Sequence, residues 1–161
     1  MRNGVKIIPV SEPAQETDSA QAIVAAYQTA ANQAAASGTR IRGLLFCNPH
    51  NPHGHVCTVE VLDALLRFCE EADIHFLSDE IYALSTFGRI DAQAAGEPNQ
   101  RGGKGFASPS ARFVSVLSRD LKKLCVDRSR IHILYSISKD FGCSGLRLVC
   151  KSEKPTPFLC G

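Results

Sequence analysis

The sequence predicts an α/β domain built around a mostly parallel β-sheet. Short apolar runs at residues 43–47, 74–77 and 131–136 alternate with longer segments that carry helical patterns, which is the rhythm of parallel α/β folds. The first run, Gly-Leu-Leu-Phe-Cys, is apolar throughout, as is typical of a strand whose two faces are both covered. We therefore expect a sheet of parallel strands with helices packed on its faces.

Two helices are predicted from the spacing of apolar residues and from the residues at their ends. The first is expected to begin after Asp18, which favours the N-cap position, and to end near Ser37. The second is expected to run over residues 59–72, with a buried apolar face. On its exposed face Asp63 and Arg67 lie four residues apart and are predicted to form an ion pair.

The other segments give weaker patterns. Short strands are predicted at residues 5–10 and 113–117, and a helical turn at residues 119–124. Residues 88–110 are rich in Gly, Pro, Gln, Asn and Ser without periodicity, so they are expected to form a loop or an insertion.

The composition excludes several classes of protein. A net charge of +2 indicates no particular affinity for nucleic acid, and no apolar run approaches the roughly 20 residues that cross a membrane. The seven cysteines include no Cys-x-x-Cys pair and mostly lie among apolar residues. Reduced thiols, and hence a cytoplasmic location, are the expectation.

A lysine with phosphate-binding neighbours follows the run at residues 131–136. Lys139 is preceded by Ser136 and Ser138 and followed by Arg147 in the sequence Ser-Ile-Ser-Lys-Asp-Phe-Gly-Cys-Ser-Gly-Leu-Arg. An amine is a nucleophile, and hydroxyl and guanidinium groups bind phosphate. Alone, a lysine after a strand is more often simply solvated at the strand end.

Two further motifs follow the two preceding strands. Asn-Pro-His-Asn-Pro-His-Gly occupies residues 48–54, and Ser-Asp-Glu-Ile-Tyr occupies residues 78–82. Ligands of parallel α/β sheets bind beyond the carboxyl ends of the strands, so all three motifs are expected at one edge of the sheet. By themselves, Asp79 could cap a helix, Tyr82 could be a core aromatic and Asn51 could be a turn residue.

Together and in this order, the three motifs resemble the large domain of fold-type I pyridoxal-phosphate enzymes. The resemblance is greatest to class I aminotransferases and 1-aminocyclopropane-1-carboxylate synthases. It covers residues 4–148, so residues 1–148 are expected to be a partial large domain, that is, part of a three-layer sandwich. The N-terminal part of that domain and the C-terminal small domain are expected to be lacking. Residues 149–161 are expected to be a poorly ordered tail outside the family.

The resemblance implies a cofactor, pyridoxal 5′-phosphate, joined to Lys139 through a Schiff base. It implies that Asp79 faces the pyridine nitrogen and that Asn51 and Tyr82 donate to the ring hydroxyl oxygen. The residues implied to hold the phosphate are Ser136, Ser138 and Arg147. The substrate would be an α-amino acid, with Lys139 as the base at its α-carbon in transamination or in α,γ-elimination with ring closure. Full-length members are expected to be homodimers.

Two alternatives remain open. The chain could be a non-catalytic remnant that binds the cofactor weakly or docks on a full-length relative, and turnover by the chain alone is expected to be slow. It could also be a zinc-binding module, because five potential ligands lie close together: Cys47, His50, His53, His55 and Cys57. Against zinc, the histidines occupy the variable positions of the Asn-Pro-x-Asn-Pro-x-Gly turn, so the sequence favours no metal.

Overall fold

The structure, a computed structural model, describes residues 4–11, 19–86, 106–107, 112–146 and 148–152. Three helices and six strands are formed within these residues. Within the described residues they are, in order, α1 (Ala20–Ala36), β1 (Gly43–Cys47), β2 (Val56–Cys57), α2 (Val59–Glu71), β3 (His75–Asp79), β4 (Phe106–Ala107), β5 (Ile131–Ser136), α3 (Ile137–Asp140) and β6 (Val149–Ser152).

Four of these strands form the main sheet, in the order β1-β3-β5-β6. The first three run parallel, with Leu44 opposite Phe76 and Phe76 opposite Ile131. Strand β6 runs antiparallel to β5 and places Val149 opposite Ser136. Strands β2 and β4 form a separate antiparallel pair. The predicted α/β fold with a mostly parallel sheet is confirmed.

Hydroxyl side chains cap the beginning of both long helices. Ser19 Oγ accepts the backbone N–H of Ala22, and Thr58 Oγ1 accepts that of Val61. Each cap satisfies an amide that has no partner inside the helix. The bounds of α2 agree with the prediction to within one residue. For α1 the cap is Ser19 and not Asp18, which lies outside the described residues.

The core lies between α1, α2 and one face of the sheet. Because side chains alternate along a strand, the register directs a set of apolar strand residues to this face, and all of them are buried: Leu44, Phe46, Phe76, Ile131 and Ile133. Helix α2 contributes Val61, Leu62, Leu65, Leu66, Phe68 and Cys69. Burying a side chain of this size stabilises the fold by about 1.5–3 kcal/mol.

The opposite face of the sheet is open in the part of the chain that the structure describes. It carries Leu45, which is 60% exposed, and Leu77 and Leu134, which are half-buried. The core cluster lies on the other face, together with α1 and α2. The apolar pattern of β1 predicts cover on both faces, and the described residues supply one layer of helix and one of sheet.

Two strand predictions are wrong. Residues 5–10 form no strand, and Val5 and Ile7 are more than 60% exposed. They pair with no strand within the described ranges, and Pro9 cannot donate to a sheet. Residues 113–115 belong to no strand, and a 3₁₀ helix follows at Val116–Ser118. The predicted helical turn nearby is present as a hydrogen-bonded turn at residues 121–125.

The predicted pair between Asp63 and Arg67 is also wrong. Asp63 binds Arg119 instead, with Nε to Oδ1 at 2.8 Å and Nη2 to Oδ2 at 2.9 Å. This hydrogen bond to Asp63 raises the pKa of Arg119. A planar guanidinium can meet both carboxylate oxygens at once, which the helix neighbour does not do here.

Two segments predicted to be irregular contain short strands. Of the predicted loop at residues 88–110, Phe106 and Ala107 form β4, and the others lie outside the described residues. Of the predicted tail at residues 149–161, the first four residues form β6, and residues 153–161 lie outside the described residues. No helix in the described part of the chain has the length and apolar character needed to cross a bilayer.

Candidate functional site

The three motifs lie at one edge of the sheet, where β1, β3 and β5 end. Cys47 is opposite Asp79, and Asp79 is opposite Leu134, so the three strands end side by side. The ladder continues one residue further, because Asn48 N–H donates to Asp79 O at 3.0 Å and Glu80 N–H donates to Leu134 O at 2.9 Å. Backbone pairing therefore fixes where each motif begins.

The Asn-Pro loop after β1 folds back on itself. Asn48 is buried, and its Oδ1 accepts the N–H of Cys57 in β2 at 3.0 Å. His50 N–H donates to His55 O at 2.9 Å, which closes the tip of the loop. Asn51 lies at this exposed tip, directed towards the turn that follows β3.

Side chains from all three motifs meet at Tyr82. Asn51 Nδ2 donates to Tyr82 Oη at 3.1 Å. Lys139 Nζ lies 5.8 Å from the centroid of the same ring. Tyr82 is half-buried, whereas Asn51 and Lys139 are exposed. The arrangement brings an amine, a phenol and a carboxamide together on an accessible surface.

Asp79 ends β3 with its carboxylate half-buried. Its Oδ1 accepts the N–H of Ile81 at 3.3 Å, and no donor among the described residues bonds its Oδ2. The strand partner of Asp79 is Cys47, whose thiol pKa is raised by burial and also by the negative charge of Asp79. Cys47 therefore remains a neutral thiol, and it donates to Pro49 O at 3.3 Å. One carboxylate oxygen of Asp79 is left to receive a further donor.

The two serines that precede Lys139 bind each other. Ser136 Oγ donates to Leu148 O at 2.7 Å and lies 2.8 Å from Ser138 Oγ, so Ser138 is the donor in that pair. Ser136 Oγ also accepts the N–H of Ser138 at 3.1 Å. Both hydroxyl protons are used within the chain, and only that of Ser138 can turn to a ligand without breaking the bond to Leu148, the residue before β6. Arg147 lies outside the described residues.

Two acidic residues to which the sequence assigned no role support the site. Asp140 Oδ1 accepts the hydroxyl of Ser85 at 2.9 Å, which joins the lysine-bearing helix α3 to the turn that carries Tyr82. Glu80 is buried beside Asp79 and binds donors from a distant segment. Both contacts join residues far apart in the chain. The sequence around each carboxylate therefore gives no signal that distinguishes it from a solvated one.

The region considered for zinc contains three neighbouring imidazole rings. The ring centroids of His50, His53 and His55 lie 5.1–5.4 Å apart, with the rings nearly parallel. No group of three or more His, Cys, Asp or Glu in the described ranges is arranged to hold a metal ion. Burial and the charge of Glu80 raise the pKa of the Cys57 thiol, which disfavours the thiolate that zinc requires.

Comparison with known proteins identifies the family. The family model for aminotransferase class I and II matches residues 2–150, so the chain belongs to that family. Membership of this family implies pyridoxal 5′-phosphate as the cofactor.

Curated relatives agree with this family. The chain is 58% identical over 124 residues to aminotransferase verI of Clonostachys rogersoniana, covering 77% of this chain and 28% of the relative. It is 42% identical over 154 residues to the probable aminotransferase gliI of Aspergillus fumigatus, covering 92% and 30%. It is 36% identical over 149 residues to 1-aminocyclopropane-1-carboxylate synthase 6 of Oryza sativa, covering 91% and 23%. The chain thus spans less than a third of the length of these relatives.

Solved structures show the same fold. The chain matches N-succinyldiaminopimelate aminotransferase of Mycobacterium tuberculosis with a TM-score of 0.52 at 21% identity, over 81% of this chain and 25% of that one. It matches an aspartate aminotransferase of Rhodobacter sphaeroides with a TM-score of 0.53 at 20% identity, over 86% and 27%. The predicted fold, that of the pyridoxal-phosphate aminotransferases, is therefore confirmed for the part that this chain represents.

Proposed function

We propose that this chain carries the cofactor site of a pyridoxal-phosphate enzyme that acts on α-amino acids, with Lys139 as the residue that binds the cofactor covalently. The observation that carries the proposal is the meeting of Asn51, Tyr82 and Lys139 at the ends of adjacent parallel strands. These side chains come from three separate segments. A purely structural role would not require an amine, a phenol and a carboxamide at one exposed point.

The donor set fits the chemical groups of the cofactor. Lys139 Nζ is accessible, and none of the ion pairs within the described residues involves it. Asp79 Oδ2 is left to accept an N–H from a pyridine ring. Asn51 and Tyr82 offer N–H and O–H donors to a ring hydroxyl oxygen. The amine, the carboxylate and the two donors match the aldehyde side, the nitrogen and the hydroxyl of pyridoxal phosphate.

Each residue then has a task. When bound, pyridoxal phosphate supplies a ring that accepts the electrons released when a bond to the α-carbon of an amino acid breaks. Asp79 supplies the negative charge that favours a protonated ring nitrogen. Lys139 Nζ serves as the nucleophile that holds the cofactor and, once released, as the base that takes the α-proton of the substrate. Tyr82, held by Asn51, orients the ring.

Phosphate binding is assigned to Ser136, Ser138 and Arg147. Within this set, Ser138 is the hydroxyl free to turn, because the proton of Ser136 is donated to Leu148 O. We assign Ser136 the task of holding Ser138 through the contact at 2.8 Å. A guanidinium can bind two phosphate oxygens in parallel, which is the role proposed for Arg147.

The reaction is proposed to be transamination or elimination with ring closure, since relatives with both kinds of name match the chain. A cytoplasmic homodimer is proposed for the whole protein. A remnant that binds the cofactor without turnover remains the alternative. The remnant would bind the cofactor through the same lysine. The first experiment therefore tests the cofactor site, and the second separates the enzyme from the non-catalytic remnant.

The first experiment is reductive trapping. The chain is mixed with pyridoxal phosphate, reduced with borohydride and digested, and the labelled lysines are identified by mass spectrometry. We expect the label mainly on Lys139. Lys123 is the matched control, because its side chain is 85% exposed and pairs only weakly with Asp120 at 3.6 Å. Equal labelling of Lys123 and Lys139 would refute the site.

The second experiment is a single-turnover assay with a panel of amino acids, in which the amination of the cofactor is followed. Conversion that depends on Lys139, and disappears in Lys139→Ala, would support the enzyme. Selective labelling of Lys139 without conversion would support the binding remnant.

A further inference from the structure

We propose that Glu80 is a positioning residue of this site, whose buried carboxylate fixes the turn that carries Asp79 and Tyr82. The inference rests on the proposed function and adds a residue to which no role has been assigned. Glu80 lies directly after Asp79 and two residues before Tyr82, so any movement of its backbone moves both.

Glu80 is a buried residue, 5% exposed, and its carboxylate binds three donors. Oε1 accepts the hydroxyl of Ser78 at 3.0 Å and the backbone N–H of Val116 at 3.0 Å. Oε2 accepts the hydroxyl of Ser115 at 2.6 Å. The side chain therefore joins the end of β3 to a segment more than 30 residues further along the chain.

The backbone of Glu80 is fixed as well. Its N–H donates to Leu134 O in β5 at 2.9 Å, and its carbonyl accepts the N–H of Ala83 at 2.9 Å. The second bond closes the turn that contains Tyr82. Side chain and backbone together hold Glu80 in a single position, with Asp79 on one side and the tyrosine-bearing turn on the other.

The segment that Glu80 binds is itself anchored to the core helix α2. Arg119, three residues after Val116, forms the bidentate contact with Asp63 of α2. The Val116 side chain is buried in the core. Glu80 thus connects the site to a rigid support and not to a loose loop.

The chemistry of this contact is consistent with a positioning role. A buried carboxylate is costly unless its oxygens are hydrogen-bonded. Here all three donors are neutral, and no ion pair within the described residues includes Glu80. An apolar side chain would leave the Val116 N–H and the two hydroxyls without this acceptor, whereas the carboxylate gives each of the three bonds a defined direction. Displacement of catalytic groups by about 1 Å can lower a rate by on the order of 100-fold, so bonds that fix the position of the turn would affect catalysis.

Three variants test the proposal, with cofactor labelling at Lys139 under half-saturating pyridoxal phosphate as the readout. Glu80→Ala removes both acceptor oxygens, and with them all three hydrogen bonds, and should lower labelling per folded molecule by about tenfold. Glu80→Gln keeps the Oε1 acceptor for Ser78 and Val116, and its amide can donate to Ser115 Oγ, so labelling should return to within about twofold of wild type. Glu70→Ala is the matched control: Glu70 Oε2 accepts the N–H of Asp127 at 2.9 Å, away from the site.

A second readout is independent of the cofactor. The N–H of Ile81 bonds Asp79 Oδ1, so its hydrogen exchange reports the geometry of the turn. Exchange at Ile81 should be faster in Glu80→Ala and unchanged in Glu70→Ala. A merely structural role would lower labelling in both variants in step with their urea midpoints.

Should Glu80→Ala fail to fold, Ser115→Ala removes the bond to Oε2, together with the 3.2 Å bond that Ser115 Oγ accepts from the N–H of Leu117, and should lower labelling about threefold. Wild-type labelling in Glu80→Ala or, if that variant does not fold, in Ser115→Ala would overturn the proposal, as would an equal loss in Glu70→Ala. Wild-type protein that does not label at Lys139 would instead refute the cofactor site, and the role of Glu80 with it.

Discussion

The side-chain amide of Asn51 donates to the phenolic oxygen of Tyr82 over 3.1 Å, although 31 residues separate the two in the chain. Parallel pairing of β1 with β3 brings the loop after one strand beside the turn after the other. Backbone pairing places the two motifs side by side, and this hydrogen bond links their side chains. It also fixes the phenol near Lys139.

Replacing Tyr82 by Phe should weaken pyridoxal phosphate binding. The ring remains, but the donor to the cofactor oxygen and the acceptor for Asn51 are lost, which corresponds to about 1 kcal/mol or roughly fivefold in affinity. Fluorescence titration with the cofactor measures the change. Tyr27→Phe, in α1 away from the strand ends, is the control and should bind like wild type. Equal affinity of the Tyr82 and Tyr27 variants would contradict the assignment of Tyr82.

The Asp63–Arg119 contact should contribute to stability. The two side chains are 15% and 24% exposed and share two hydrogen bonds, so Asp63→Ala should lower the free energy of unfolding by about 1–2 kcal/mol. Urea denaturation measures this. Arg67→Ala is the control, because Arg67 is exposed and should change stability by no more than about 0.5 kcal/mol. A larger loss from Arg67 than from Asp63 would show that the helix neighbour is the true partner.

Thiol reactivity should separate the cysteines into two groups. Cys125 and Cys150 are exposed, whereas Cys57 and Cys69 are buried. Burial raises the pKa of Cys69 to about 12, so at pH 8 only about one molecule in 10⁴ carries the reactive thiolate there. Iodoacetamide at pH 8 should modify Cys125 and Cys150 first. Cys57 and Cys69 should react only in urea, and their rapid alkylation in native protein would contradict the packing of α2.

Stability should depend on pH through Asp127. Its carboxylate accepts the N–H and the hydroxyl of Ser129, and these bonds, followed by the charge of Arg130, lower its pKa. A lowered pKa in the folded state stabilises the protein above the unfolded pKa of 3.8, and this contribution is lost as the pH falls through the folded value. In urea melts, Asp127→Asn should therefore be less stable than wild type at pH 6, and the difference should shrink towards pH 2.5. A difference in stability that grows at low pH would contradict the lowered pKa of Asp127 in the folded state.

The elements that sequence analysis placed well are those with local patterns. Strands β1 and β5 have the predicted bounds, and α2 ends one residue early, because the apolar pattern of each element is contained in its own segment. Strand β3 extends to Asp79, two residues beyond the prediction. Its last two residues are polar, yet Ser78 is buried and bonded to Glu80, which no local pattern reveals.

For the site, the sequence predicted which segments converge but not what holds them. Order along the chain and placement after strands were sufficient to bring the Asn-Pro loop, Asp79 and Lys139 to one edge. Arg119, the partner of Asp63, lies 56 residues away, and Val116, one of the partners of Glu80, lies 36 residues away. Such contacts depend on how loops pack against α2. Helix spacing predicts contacts only between residues three or four positions apart, which is why the sequence indicated Arg67 as the partner of Asp63.

The open face of the sheet affects how this chain will behave at high concentration. Leu45 projects from β1, the outermost strand of the sheet in the described residues, so an apolar surface lies next to backbone groups that can pair with another chain. Such edges promote self-association and aggregation. Leu45→Lys would add a charge that opposes edge-to-edge pairing while leaving the buried face untouched. A preparation carrying that substitution should stay dispersed at concentrations suited to spectroscopy.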